Sequence, residues 1–213
     1  MSSAEPKTVD EVCALVRDGR TDIDLRRLDT VGPVEEGVLT VGGGALCGAV
    51  EERAHPWLFA SDRPDSTVAE WIGRGGRGGV LSEFLGPARS QVLGLRAVLA
   101  DGTCVRFGGK VVKNVAGYDL TKAFVGARGT LGLVVEAHLR VRPAPKGWRA
   151  AAHGAAIRFL RAGEETPEGY AACDPLEARA RLRASFQEIE PPQLLGPLWE
   201  RLWSALDPEG LFR

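Results

Sequence analysis

Lys113, Asn114, Tyr118, Asp119 and Thr130 stand at the turns of one glycine-rich stretch, Arg106 to Pro145, which reads RFGGKVVKNVAGYDLTKAFVGARGTLGLVVEAHLRVRPAP. Among them they offer an ammonium, an amide, a phenol, a carboxylate and a hydroxyl. Gly108, Gly109, Gly117, Gly126, Gly129 and Gly132 surround them, and glycine lets backbone approach a ligand with no Cβ in the way. A hairpin alone does not need six glycines. The pattern suits holding a planar or phosphorylated molecule. Covalent catalysis is not signalled, because the chain presents no legible nucleophile–base pair and no substrate-carboxylate clamp.

Within this stretch, Gly126-Ala127-Arg128-Gly129-Thr130-Leu131-Gly132 is the stronger ligand loop. Its glycines allow backbone contact, and Thr130 adds a hydroxyl that can donate or accept. Arg128 either counters a phosphate or is an exposed turn arginine. Asp119 is expected to cap a short helix, whereas Asn114 and Tyr118 either line a pocket or build a local turn.

Upstream, Gly73 to Gly78 (GRGGRG) formally matches the G-x-G-x-x-G dinucleotide pattern, which needs a strand before it and a helix after it. The preceding TVAEWI instead carries Thr67 and Glu70, a helix start, and Gly79, Gly86 and Pro87 leave no room for a long helix afterwards. A single RGGRGG copy also falls short of the repeats that bind nucleic acid. The reading adopted is a turn whose N–H groups at Gly75, Gly76, Gly78 and Gly79 face anionic oxygens; the alternative is a plain loop.

Several elements must position these turns. Thr8 and Glu11 form a capping-box pattern ahead of a helix from Val9 to Arg17. A strand is expected over Val38 to Gly42, a helix over Ala45 to Arg53, and a strand over Trp57 to Ala60. Leu93 to Leu99 and Thr103 to Phe107 form a hairpin around Asp101-Gly102. A helix from Leu120 to Val125 stops at Gly126. Leu133 to Val141 alternates as a strand, with Val135, Ala137, Leu139 and Val141 on one face and Glu136, His138, Arg140 and Arg142 on the other. Pro143 and Pro145 end it. Beyond lie a weakly periodic stretch from Lys146 to Pro175 and helical patterns over Leu176 to Phe186 and Leu198 to Leu206, the last with Trp199 and Trp203 as core or interface anchors.

The 213 residues are 44% hydrophobic and 26% charged, which suits an ordinary globular core. A net charge of −1 argues against a general nucleic-acid or anionic-membrane binder. No run is long and apolar enough for a membrane span, and the N-terminus lacks an apolar signal segment, so the expectation is a cytoplasmic protein, either free or peripheral at the inner membrane through a complex. Cys13, Cys47, Cys104 and Cys173 are scattered without metal-ligand spacing, which fits reduced, buried fillers. His55, His138 and His153 have no partner that marks a catalytic base.

Taken together, RFGGKVVKNVAGYDL, the GARGTLG turn and the exit strand VRPAP resemble the FAD-binding domain of the vanillyl-alcohol-oxidase/PCMH-type flavoproteins. Within that group they resemble the FAD-binding subunit of bacterial glycolate oxidase. SQVLGLRAVLADG and the C-terminal LDPEGLF are similar to further family segments. The resemblance implies an α+β fold of two small α+β lobes over residues 1–145, a shortened cap region over 146–190, and a closing helix over 191–213. It implies non-covalent FAD, since no histidine stands out for covalent attachment. Carried onto this chain, the contacts fall on Gly75, Gly76, Gly78, Gly79, Asn114, Gly117, Tyr118, Gly126, Gly129, Thr130, Leu131 and Gly132. The implied partners are a larger glycolate oxidase flavoprotein subunit and an iron–sulfur subunit, acting on a 2-hydroxy acid such as glycolate.

Four departures stand beside this likeness. The glycine-rich pyrophosphate loop expected between the first helix and DIDLRRLD is missing, and Glu70 and Trp71 occupy the paired glycines of a Thr-x-Gly-Gly turn. Ser90 replaces an aspartate ahead of the VLG strand, and the large substrate-covering domain is largely absent. They keep open a second function, that of a non-catalytic assembly subunit without FAD.

Overall fold

The computed structural model describes residues 3–55, 57–59, 61, 63–76, 85–110, 119–143, 149–153, 156–160, 163–169, 171–173 and 205–206. Helix α1 spans Val9–Arg17, as the capping residues predict. Thr8 is extended and its Oγ1 accepts the Glu11 N–H at 3.2 Å. The Glu11 carboxylate reaches one residue further back than the capping-box pattern implies, accepting the Lys7 N–H at 2.7 Å.

The frame is a five-stranded antiparallel sheet of β1 (Val31–Glu35), β2 (Val38–Gly42), β6 (Leu133–Arg140), β4 (Val92–Val98) and β5 (Cys104–Gly108), adjacent in that order. A two-stranded ribbon joins β3 (Trp57–Leu58) to β7 (Arg142–Pro143). A separate sheet holds β8 (Arg149–His153) between β9 (Ala156–Leu160) and β10 (Ala171–Cys173). Asp101 fixes the β4–β5 turn by accepting the Thr103 N–H at 2.7 Å, and Val98 pairs with Cys104. Of the C-terminal helical patterns, only Ala205 and Leu206 fall among the described residues, and both are helical.

Both faces of the sheet are packed. On one, Leu39, Val41, Leu95, Ala97, Ala137 and Leu139 meet α2 (Cys47–Ala54) and α3 (Val68–Gly73) around Val50, Val68, Trp71 and Ile72. On the other, Val12, Cys13 and Val16 of α1 cover Val98 and Val135. Each fully buried Val or Leu contributes about 1.5–3 kcal/mol, so the two clusters dominate stability.

Val135 corrects the expected alternation. Arg96 pairs with Glu136 but Ala97 with Val134, so the register slips by one residue at Val135. This bulge sends Val134 to the face of Ala137 and Leu139 and turns Val135 towards α1. Past the bulge the polar row holds: Glu136, His138 and Arg140 are half-buried and Arg142 is exposed. Other boundaries move too: the strand expected from Trp57 keeps only Trp57–Leu58, and the hairpin strands are Val92–Val98 and Cys104–Gly108. Helix α2 begins at Cys47 rather than Ala45, and the helix expected over Leu120 to Val125 contracts to Thr121–Phe124. The Asp119 side chain does not cap it; its carboxylate lies 3.5 Å from the Lys122 ammonium.

Candidate functional site

Residues Thr67 to Gly76 and Gly126 to Gly132 meet in space. The Gly126 N–H donates to the Ile72 carbonyl at 2.9 Å and the Arg128 N–H to the Gly73 carbonyl at 2.8 Å. A Cβ on Gly75 would stand 3.9 Å from the Gly126 Cα. Two glycine-rich segments that sequence alone keeps fifty residues apart thus form one local structure.

The start of α3 is a closed capping box. Thr67 Oγ1 accepts the Glu70 N–H at 3.2 Å, and Glu70 Oε2 accepts the Thr67 N–H at 3.0 Å. The Val68 N–H donates to the Ala45 carbonyl at 2.9 Å, the Ala69 N–H to the Gly43 carbonyl at 2.8 Å, and the Trp71 N–H to the Thr67 carbonyl at 2.9 Å. A helix start attracts anions through unpaired N–H groups. Here every first-turn donor has an acceptor, and the anion present is Glu70 itself.

Trp71 lies 2% exposed, with its ring 5.0 Å from that of Phe59 in an edge-on arrangement. Ala88 and this indole together require glycine at Gly76, where φ is +56° and a Cβ would fall 2.1 Å from the Ala88 Cβ and 3.0 Å from Trp71 Cζ2. The Gly75 and Gly76 N–H groups donate back to Ile72 and Trp71 at 3.0 and 2.7 Å. These glycines close the end of α3 and let the chain pass the indole.

The 126–132 turn is built differently. The Ala127, Thr130 and Gly132 N–H groups donate to Phe124, Ala127 and Gly129. The Thr130 hydroxyl donates to the Ala127 carbonyl at 2.6 Å, which spends its proton within the turn. The Gly129 and Leu131 N–H groups have no acceptor among the described residues. Gly129 holds φ +82°, and nothing lies within 4 Å of the place its Cβ would take. Arg128 also has positive φ, +54°, and is exposed. Leu131 is fully buried and anchors the turn in the core.

Of the other predicted contacts, Gly78, Gly79, Asn114, Gly117 and Tyr118 lie outside the described residues, as does Lys113. Thr121, which closes the KNVAGYDLT segment, went unnoticed in the sequence. It is fully buried, and its hydroxyl has no hydrogen-bond partner. The same holds for Gln91 Oε1, although Gln91 Nε2 donates to the Gly86 carbonyl at 2.8 Å. The carbonyls of Gly43 and Ala45 were also missed as receivers of the α3 donors; the run Gly42-Gly43-Gly44 after a strand was the available signal.

His138 is structural rather than basic. Its Nδ1 lies 3.1 Å from Thr40 Oγ1, and burial holds the imidazole below its ordinary range, with Glu136 acting the other way. His55 is exposed at the end of α2. No helix among the described residues is long and apolar enough to cross a membrane.

Set against the FAD implied by resemblance, the two segments differ. The 126–132 turn fits close approach of a planar group, because Gly129 presents an open backbone face. The start of α3 does not fit a phosphate, because its donors are used and a carboxylate stands among them.

Residues 7–108 match the family of FAD binding domains. The glycolate oxidase subunit GlcD of Bacillus subtilis is 41% identical over 116 residues, which is 53% of this chain and 23% of that protein. The glycolate oxidase subunit GlcE of Escherichia coli is 44% identical over 71 residues, 33% of this chain and 20% of that one. The chain therefore spans about a fifth of the length of these relatives. Among solved structures, 6-hydroxy-D-nicotine oxidase from Arthrobacter nicotinovorans aligns over 71% of this chain and 39% of its own, with a TM-score of 0.59 and 18% identity, a likeness of fold. The match over residues 7–108 and the likeness of fold agree: this part of the chain is similar to FAD binding domains, and the chain is similar in sequence to glycolate oxidase subunits.

Proposed function

We propose that this chain is an FAD-binding subunit of a glycolate oxidase-type complex that converts glycolate or a related 2-hydroxy acid to the 2-oxo acid. When bound, FAD supplies hydride acceptance, and the protein supplies orientation and electrostatics. The observation that carries the reading is the 126–132 turn, with an open glycine at Gly129 and two N–H groups without an acceptor among the described residues. Gly129, Leu131 and the Thr130 oxygen would contact the flavin nucleotide, and Gly126 and Gly132 would hold the turn. Gly75 and Gly76 support it from behind through α3. Residues 1–145 would form the flavin-binding unit, 146–190 a short cap region and 191–213 a closing helix. The partners fitting this role are a larger flavoprotein subunit and an iron–sulfur subunit.

A second reading, a non-catalytic assembly subunit, is favoured by the saturated donors at the start of α3. One experiment separates the roles. The purified chain is assayed for glycolate-dependent dye reduction, then co-expressed with the larger flavoprotein subunit and passed over size exclusion. The expected result is a stable complex, with activity only there. Turnover by the single chain would refute the subunit role. A complex whose activity is unchanged by Gly129→Val would favour assembly alone.

A further inference from the structure

We infer that Glu70 is a specificity-determining residue that excludes a ligand phosphate from the α3 end of the site. The start of α3 would therefore take no part in recognising a flavin's pyrophosphate. The inference rests on the flavin reading above and narrows it.

The hydrogen-bond accounting is complete at this helix start. Ala45 and Gly43 carbonyls take the Val68 and Ala69 donors, Thr67 takes those of Glu70 and Trp71, and Glu70 takes that of Thr67. An incoming phosphate would have to displace one of these acceptors and sit beside the Glu70 carboxylate. Two like charges about 4 Å apart in a water-like medium oppose each other by roughly fivefold in binding, and by more where water is excluded. Trp71 blocks the other route, since its buried indole fills the space behind the helix that a small residue would leave open. Gly75 and Gly76 lie at the opposite end of α3 and donate back to Ile72 and Trp71, so they do not replace the lost contact.

The test compares FAD with riboflavin, which shares the ring system and lacks both phosphates. Dissociation constants for both are measured by flavin fluorescence on the full chain, on Glu70→Gln, and on Glu11→Gln as a control. The control removes an equivalent helix-capping carboxylate on α1, away from α3. The inference expects the native chain and Glu11→Gln to show the same ratio of FAD to riboflavin dissociation constants, within about twofold. In Glu70→Gln the amide still reaches back to cap α3, and FAD should tighten about fivefold relative to riboflavin, which stays unchanged. Glu70→Ala repeats the comparison without any reach-back if the glutamine variant folds poorly.

A Glu70→Gln ratio equal to the native one, or a ratio changed as much by Glu11→Gln, would overturn the inference. Should neither flavin bind, the flavin reading itself fails. Inorganic pyrophosphate then serves as the probe, and a thermal shift in Glu70→Gln but not in the native chain still upholds the role of Glu70. Equal shifts, or none in either, overturn it.

Discussion

The start of α3 and the 126–132 turn are neighbours with opposite accounts of their backbone donors. The turn is glycine-rich while the start of α3, Thr67 to Trp71, holds no glycine, and each presents a threonine hydroxyl to its own backbone. At α3 every first-turn N–H has an acceptor and a carboxylate sits among them. At the turn, the Gly129 and Leu131 N–H groups are without one among the described residues, and space opens over Gly129. At the far end of α3, Gly75 and Gly76 likewise spend their N–H groups on Ile72 and Trp71, so glycine alone does not make a binding loop. What decides is whether folding has already consumed the backbone donors.

The largest expected effect sharpens the view that α3 is a structural end of the site. Trp71→Ala removes a buried indole and should cost about 3–5 kcal/mol in urea unfolding. A loss below 1 kcal/mol would mean that the indole is not what closes this end. At the open turn, Gly129→Val forces a branched side chain into left-handed backbone and should cost about 1–2 kcal/mol, with no steric clash to add to it. A cost several times larger would place hidden packing over the turn and break the contrast. Thr67→Ala removes the cap and should cost about 1 kcal/mol, read as a melting shift of roughly 2–4 °C.

Smaller effects probe the polar sheet face. Burial depresses the His138 pKa, so the folded state resists protonation there. Stability should be complete above the ordinary histidine value of 6.5 and decline as pH falls below it through the lower folded value. His138→Gln should flatten that decline, and an unchanged pH profile would remove His138 as its source. Arg142→Ala, on the exposed edge of the ribbon, should stay within about 0.5 kcal/mol in the same unfolding measurement.

Much of this contrast was legible before any coordinates. Thr8 and Thr67 announced their helices because a cap is a local motif that needs no tertiary partner. β2 and the Asp101-Gly102 hairpin followed from alternation and turn chemistry in the same way. Three features were not legible. The bulge at Val135 depends on how β6 pairs with β4, and one strand's own pattern cannot report its partner's register. Asp119 was read as a cap from its position, but Lys122 three residues on offers a charge that competes for its carboxylate. The acceptors of the α3 donors, Gly43 and Ala45, lie more than twenty residues upstream in a turn whose glycines gave no sign of what they would face. The glycines and Thr130 singled out the 126–132 turn as a candidate ligand loop, while the closure of α3 emerged from hydrogen-bond geometry.

The central claim is that the open turn at Gly129 contacts a flavin. It is tested most directly by thermal unfolding of the native chain and of Gly129→Val, each with and without FAD. Ligand at a hundredfold excess over its dissociation constant stabilises by about 2.7 kcal/mol, a shift of roughly 5–10 °C for a chain of this size. The account predicts an FAD-dependent rise in the native chain, reached only at high FAD, and none in Gly129→Val. No rise in the native chain at millimolar FAD, or an equal rise in both proteins, would contradict it.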